Sequence, residues 1–318
     1  MKIQYQWLPV IVGLLTTSMA QAHCGGAFCT VNTNWEVQGV TDKPGVRLDL
    51  RAEFVDLDQL RHNTHKATPA GVVDTHDETR TINRNFSANL DWNISPEWGF
   101  NLRVPYVSRA HQHVHNLDDG FGGVEPEKES WNFNKLGDVQ AVGRYTFYQG
   151  ASDSAGVRFG LKLPTGSKTE KNSGGERAER SLQPGTGSTD AIVGLYYNRK
   201  IDNWSWFAQG QMQQVVHEHD DFRPGRQLSA DVGVGYMAGK DWRVMLQMNA
   251  LNKKHDSGAN AEPDDSGSTQ VFVSPGVSYA ITSNAQVYGF LQKPLYQKMH
   301  GTQLTADWSA AVGVGLQF

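Results

Sequence analysis

Cysteine is nearly absent: the 318-residue chain has two, Cys24 and Cys29, both close to its start. That scarcity excludes a disulfide-stapled scaffold and a multi-cysteine metal cluster. Long apolar runs are missing as well. Beyond the first 22 residues no segment of about 20 apolar residues occurs, which excludes a bundle of membrane helices. Excess positive charge is missing too, with 29 Lys and Arg against 33 Asp and Glu for a formal charge of −4. A nucleic-acid partner is therefore not expected. The Gly-x-Ser-x-Gly elbow of esterases is also lacking, and the sequence is expected to encode no enzyme. No shift in composition divides the chain, which reads as one folded domain.

What is present is a period of two. In the stretch from Leu304 to Phe318, Leu304, Ala306, Trp308, Ala310, Val312, Val314, Leu316 and Phe318 fall on one face, opposite Asp307, Gly313 and Gln317. That alternation marks a β-strand. A terminal Phe after such a strand resembles the signature that the assembly machinery of bacterial outer-membrane barrels reads. At the other end, residues 1–22 combine Lys2, an apolar run and Ala20-Gln21-Ala22, the pattern of a secretory leader. Residues 23–45 are polar and aperiodic, and are expected to form a periplasmic lead-in to a barrel over residues 46–318.

The first barrel strand sets Val46, Leu48, Leu50, Ala52 and Phe54 against Arg47, Asp49, Arg51 and Glu53. Charge at every second position suits a wet interior. Similar runs recur from Ile82, Phe100, Val139, Val157, Ala191, Trp206, Leu228, Trp242, Val271 and Val287, and short and long connections alternate between them. The long ones include Leu57–Arg80, Ser108–Lys135 and a loop ending near Ser188. Trp92, Trp98, Trp204, Trp206, Trp242 and several tyrosines sit beside the short turns, where an interfacial girdle belongs. Pro105, Pro275 and Pro294 interrupt the pattern and blur strand limits. The fold class is all-β: a transmembrane antiparallel barrel of about twelve strands in a bacterial outer membrane, with short periplasmic turns and long extracellular loops. Mean hydropathy of −0.51 agrees, because only alternate residues then face lipid.

Candidate solute contacts are the lumen-facing Arg47, Arg51, Arg103, Arg144, Arg158 and Lys162, with Asp49 and Glu53. Opposite charges in a narrow lumen either pair across it and plug it, or separate into a field that selects solutes. His111, His113 and His115, and likewise His217 and His219, stand two apart on extended segments. Such spacing puts imidazoles on one side, where they could hold a divalent metal; in solvated loops the same histidines would be merely polar. Cys24 and Cys29 admit a local disulfide in an oxidising compartment, or a metal site. No resident cofactor is expected beyond such a loop-bound metal. The expected partners are outer-membrane lipid, the barrel assembly machinery and a small-molecule solute.

Leu161-Lys162-Leu163-Pro164-Thr165-Gly166, followed by Gly185-Thr186-Gly187-Ser188-Thr189-Asp190, resembles the family of outer-membrane transporters named for the meta-pathway of phenol degradation. The resemblance implies a passive channel or facilitator for a small, often aromatic, solute. The competing expectation is a barrel that binds metal or a partner through histidine-rich extracellular loops.

Overall fold

The computed structural model describes residues 23–24, 30–35, 37–39, 44–73 and 75–318. The leader over residues 1–22 and Cys29, with the disulfide it would form, lie outside the described residues. In chain order the strands begin with β1 His23–Cys24, β2 Gly45–Leu57, β3 Gln59–His62, β4 His65–Lys66, β5 Thr75–Asn93, β6 Trp98–Asp118, β7 Val124–Leu136 and β8 Gln140–Gln149. They continue as β9 Asp153–Lys162, β10 Thr189–Ile201, β11 Trp204–His217, β12 Gln227–Ala238, β13 Trp242–Lys253, β14 Ser268–Thr282, β15 Ala285–Met299, β16 Thr302–Thr305 and β17 Ser309–Gln317.

Each barrel strand pairs antiparallel with its neighbours in sequence, and the ring closes where β2 meets β17. β7 and β8 pair with successive parts of β6 and act as one interrupted strand, giving a closed barrel of twelve. Five short turns lie at one end, with Phe318 against Val46 beside them. That end is periplasmic, and the long connections are extracellular. Closure leaves no exposed ladder edge in lipid.

The pleat of β2 explains why a polar sequence can live in a membrane. Arg47, Asp49, Arg51 and Glu53 are buried in the lumen while Leu50 is exposed outward. At the periplasmic rim, Trp98 lies opposite Tyr145, Trp204 opposite Tyr236 and Trp242 opposite Tyr279, each pair with ring centroids 4.7 Å apart. Three identical cross-strand pairs make the girdle a repeated structural unit.

Several boundaries differ from the sequence expectation. The terminal strand starts only at Ser309. Leu304 lies in β16, which joins β3, β4 and β1 in a small extracellular sheet, and Asp307 pairs with Lys66 outside the barrel at 3.7 Å. Leu304 and Ala306 are buried with Trp35, Leu57 and Leu60 instead of facing lipid. The region Ser108–Lys135 is no loop: β6 and β7 run on as a long hairpin, so His111 and His113 are strand residues buried on its inner face. Part of Leu57–Arg80 is likewise stranded. All three prolines sit within strands. Pro105 lies near the junction of β7 and β8, where Gly137 N–H bonds its carbonyl at 2.9 Å, and Pro294 lies at a register shift. At Pro105 and Pro294 the missing amide donor is thus placed where the ladder is irregular, whereas Pro275 lies in a regular stretch opposite Leu246.

Candidate functional site

A ring of twelve strands is wider than an eight-stranded barrel that side chains fill, and narrower than a porin. Here the extra room is taken partly by the chain itself. Residues 30–35 and 37–39 lie inside the lumen, where the sequence suggested a periplasmic lead-in. Asn32 is held three ways: its N–H bonds Gln247 Oε1 at 3.0 Å, and its amide Nδ2 bonds Gln209 and Asp231 at 3.1 and 3.0 Å. Arg51 donates to Val31 O and Thr33 Oγ1, both at 3.0 Å. Trp35 is fully buried; its Nε1 donates to Asp49 at 3.1 Å, its ring meets the edge of Tyr288 at 4.9 Å, and the Arg47 guanidinium sits 5.6 Å from it. An apolar cluster of Val31, Trp35, Val55, Leu57, Met245, Tyr288 and Phe290 anchors this side of the plug.

Against the other face of the plug lies a cavity of about 350 Å³. Its cations are Arg51, Arg103, Arg158 and Lys162, its acids Asp138 and Asp231, and Gln209, Gln211 and Gln213 form a neutral stripe along β11. The pleat aims every second residue inward, which is why these glutamines share a wall. Toward the periplasm the lumen shrinks to a pocket of about 10 Å³ lined by Asn34, Val37, Asp91 and Arg144.

The extracellular side is shaped by the long connection between β9 and β10. Leu182 and Ala178 pack against Val107, Trp131 and Phe133 on the inner face of the β6–β7 hairpin, and Trp131 Nε1 donates to Glu176 O at 3.0 Å. Its two ends are clasped together. Lys162 Nζ lies 3.0 Å from Asp138 and 3.3 Å from Asp190, and it also donates to Ser188 at 3.1 Å and to Thr186. Asp138 in turn accepts from the N–H groups of Gly166 and Thr186, at 3.0 and 2.9 Å. Gly166 and Gly185 touch backbone to backbone: a Cβ on Gly185 would sit 2.5 Å from Gly166 C. Replacing Gly185 by Ala is therefore expected to cost about 1–3 kcal/mol as an overpacking defect, seen as a lower Tm of the refolded barrel; an unchanged Tm would show the crossing to be slack.

Of the eight lumen residues singled out in the sequence, the cavity collects Arg51, Arg103, Arg158 and Lys162. Arg47 and Asp49 are turned to Trp35, Glu53 lies 2.8 Å from Arg51 and 3.8 Å from Arg103, and Arg144 faces Asn93 at 2.8 Å near the periplasmic end. The glutamine stripe carries no charge to mark it as a lumen wall, although Gln209, Gln211 and Gln213 alternate visibly in the sequence.

His111 and His113 meet Glu78, and His113 also meets His76 and Glu179. His115 is partly exposed and lies 3.7 Å from Glu129. His217 and His219 face each other at 4.6 Å, exposed, and among the described residues no third ligand group joins them. Asp119 caps its own turn by accepting from Phe121 and Gly123 N–H at 2.7 and 2.8 Å, and these bonds hold its carboxyl below the usual range.

Residues 114–297 match the model of a family described as "Putative MetA-pathway of phenol degradation". A comparison with curated proteins finds no match. The COG4313 outer membrane channel from Pseudomonas putida F1 superposes with a TM-score of 0.62 at 11% identity, covering 86% of this chain and 96% of that one. The Ralstonia pickettii toluene transporter TbuX gives 0.47 at 11% identity over 87% and 90% of the two chains.

Proposed function

The chain belongs to this phenol-degradation family, and from that premise we propose that it is a passive outer-membrane channel for a small solute of aromatic size bearing a hydroxyl or carboxylate. The observation that carries the proposal is the cavity of about 350 Å³ with Arg51, Arg103 and Arg158 on its wall. It is near the lower end of small-molecule sites, roughly 300–1,000 Å³. Guanidinium groups are suited to carboxylates and phenolates because their fixed fork offers paired donors in one plane. The glutamines supply donors and acceptors that bind weakly enough to release, as conduction requires. Diffusion down a gradient needs no cofactor, and transport rather than catalysis is the activity assigned. Around the barrel, the outward apolar band would contact lipid, and β17 with Phe318 would be the element that assembly machinery reads.

The test is reversal potential in a planar bilayer under a salt gradient. Wild-type channels should prefer anions, and Arg51→Gln with Arg103→Gln and Arg158→Gln should bring the anion-to-cation permeability ratio down toward unity. A conducting triple variant with unchanged selectivity would remove these residues from the solute path.

A further inference from the structure

On the inner face of the extracellular half of β5, β6 and β7, imidazoles and carboxylates gather outside the cavity. His76 Nε2 lies 2.9 Å from Glu179 Oε1, and its ring stacks on His113 with centroids 4.7 Å apart. One ligand atom from each of His76, His113 and Glu179 falls within 4.8 Å of the others. Bonds of about 2.0–2.1 Å to a tetrahedral ion place neighbouring ligand atoms about 3.3 Å apart, so shifts of under about 1 Å at side-chain tips would close the set.

We propose that His76, His113 and Glu179 bind one divalent transition-metal ion of the zinc type, and that the ion fastens the β9–β10 loop to the barrel wall. Imidazole and carboxylate donors suit such ions. The surrounding contacts select the ligand atom. His113 Nε2 lies 2.9 Å from Glu129 Oε2, and that carboxylate fixes the N–H on Nε2. The nitrogen left to coordinate is Nδ1, which is buried and takes no hydrogen bond. A carboxylate behind a histidine in this way both orients the ring and raises its basicity.

Below this set, Glu78 and His111 are fully buried, with His111 Nε2 3.5 Å from Glu78 Oε2, and a ligand atom of each also lies within 4.8 Å of a ring nitrogen of His113. The carboxylate of Glu78 adds negative charge toward a dication. The upper set is the better entry point, because the side chains of His76 and Glu179 retain 12% and 15% exposure against none for His111 and Glu78. The three ligands come from β5, from β6 and from the loop, so one ion would tie three separate parts of the chain.

The test uses tag-free, refolded full-length barrel and zinc(II) alone, followed by calorimetry, with the visible absorption of cobalt(II) reporting geometry. One saturable site is expected. His76→Gln and Glu179→Gln should abolish it or reduce it steeply, as should His113→Asn where that variant folds. Glu129→Gln should weaken it about 10–100-fold, and the paired change His217→Asn and His219→Asn should leave it unaltered. Zinc should also slow tryptic cleavage after Lys168 and Arg177 in the wild type and not in Glu179→Gln. Absence of saturable binding, binding that survives His76→Gln and Glu179→Gln, or loss on changing His217 and His219 would overturn the site. Binding without protection from trypsin would overturn the fastening.

Discussion

Deleting residues 30–39 is expected to raise single-channel conductance several-fold, because the closed barrel then loses residues 30–35 and 37–39, which occupy part of its lumen. A twelve-stranded ring has room for a water-filled passage only if nothing occupies its axis. The plug is held by bonds distributed over β2, β11, β12 and β13, to Arg51, Gln209, Asp231 and Gln247. Each such bond contributes about 0.5–1.5 kcal/mol net, so thermal motion will loosen individual contacts more readily than it expels the segment.

Trp35 is the heaviest of these anchors, and Trp35→Ala is the milder variant. It should cost about 3–5 kcal/mol of plug packing and give short, frequent openings in place of the steady open state of the deletion. Asp49 would keep the Tyr288 hydroxyl, which donates to it at 2.8 Å, so the wall itself should hold. Equal conductance in wild type and deletion would mean that the plug does not obstruct the path.

Lys162→Met should produce the largest local loss of stability. The ammonium lies between Asp138 and Asp190, and the three side chains are only 6%, 6% and 3% exposed. Removing one partner of a buried ion pair costs about 3–5 kcal/mol, because the remaining charge is left without compensation. Two carboxylates would here be left facing one another. The barrel ladder does not depend on them, so the defect should be confined to the clasp. The expected result is a heat-modifiable barrel whose β9–β10 loop is cut quickly by trypsin after Lys168, Lys171, Arg177 or Arg180. Adding Asp190→Asn to Lys162→Met should recover part of the resistance, and a cut rate unchanged by Lys162→Met would show the clasp to be held by backbone contacts alone.

The same clasp shows what a sequence can and cannot reveal. Leu161–Gly166 and Gly185–Asp190 stood out as a pattern, but not that the two segments cross at Gly166 and Gly185. Such an encounter joins positions distant in sequence and has no period. Alternation was legible in β2, where one face meets lipid and the other water. In the outer half of β6, both faces of the ladder lie beyond the apolar band, so Ser108, Ala110 and Gln112 replace the outward hydrophobics and the strand reads as a loop. The spacing of His111 and His113 is therefore legible in the sequence, whereas their burial is not. Glu179 had no local signal, since its partners are on β5 and β6. Leu304 and Ala306 misled for the opposite reason. Their alternation continues that of β17, yet Leu304 belongs to the small extracellular sheet and both are buried with Trp35, Leu57 and Leu60.

The position of the plug constrains the order in which the molecule can be made. Residues 30–39 precede β2, and β2 forms the seam with β17, the last strand in sequence. A ring zipped shut without them would be a topological isomer of the native form. It would have the same pairings and the same wall, but an empty axis. Conversion between the two requires threading a chain lengthwise through a narrow bore or reopening the seam, and either route makes the isomer a kinetic trap. Laying the N-terminal segment along the nascent sheet before the seam closes avoids it.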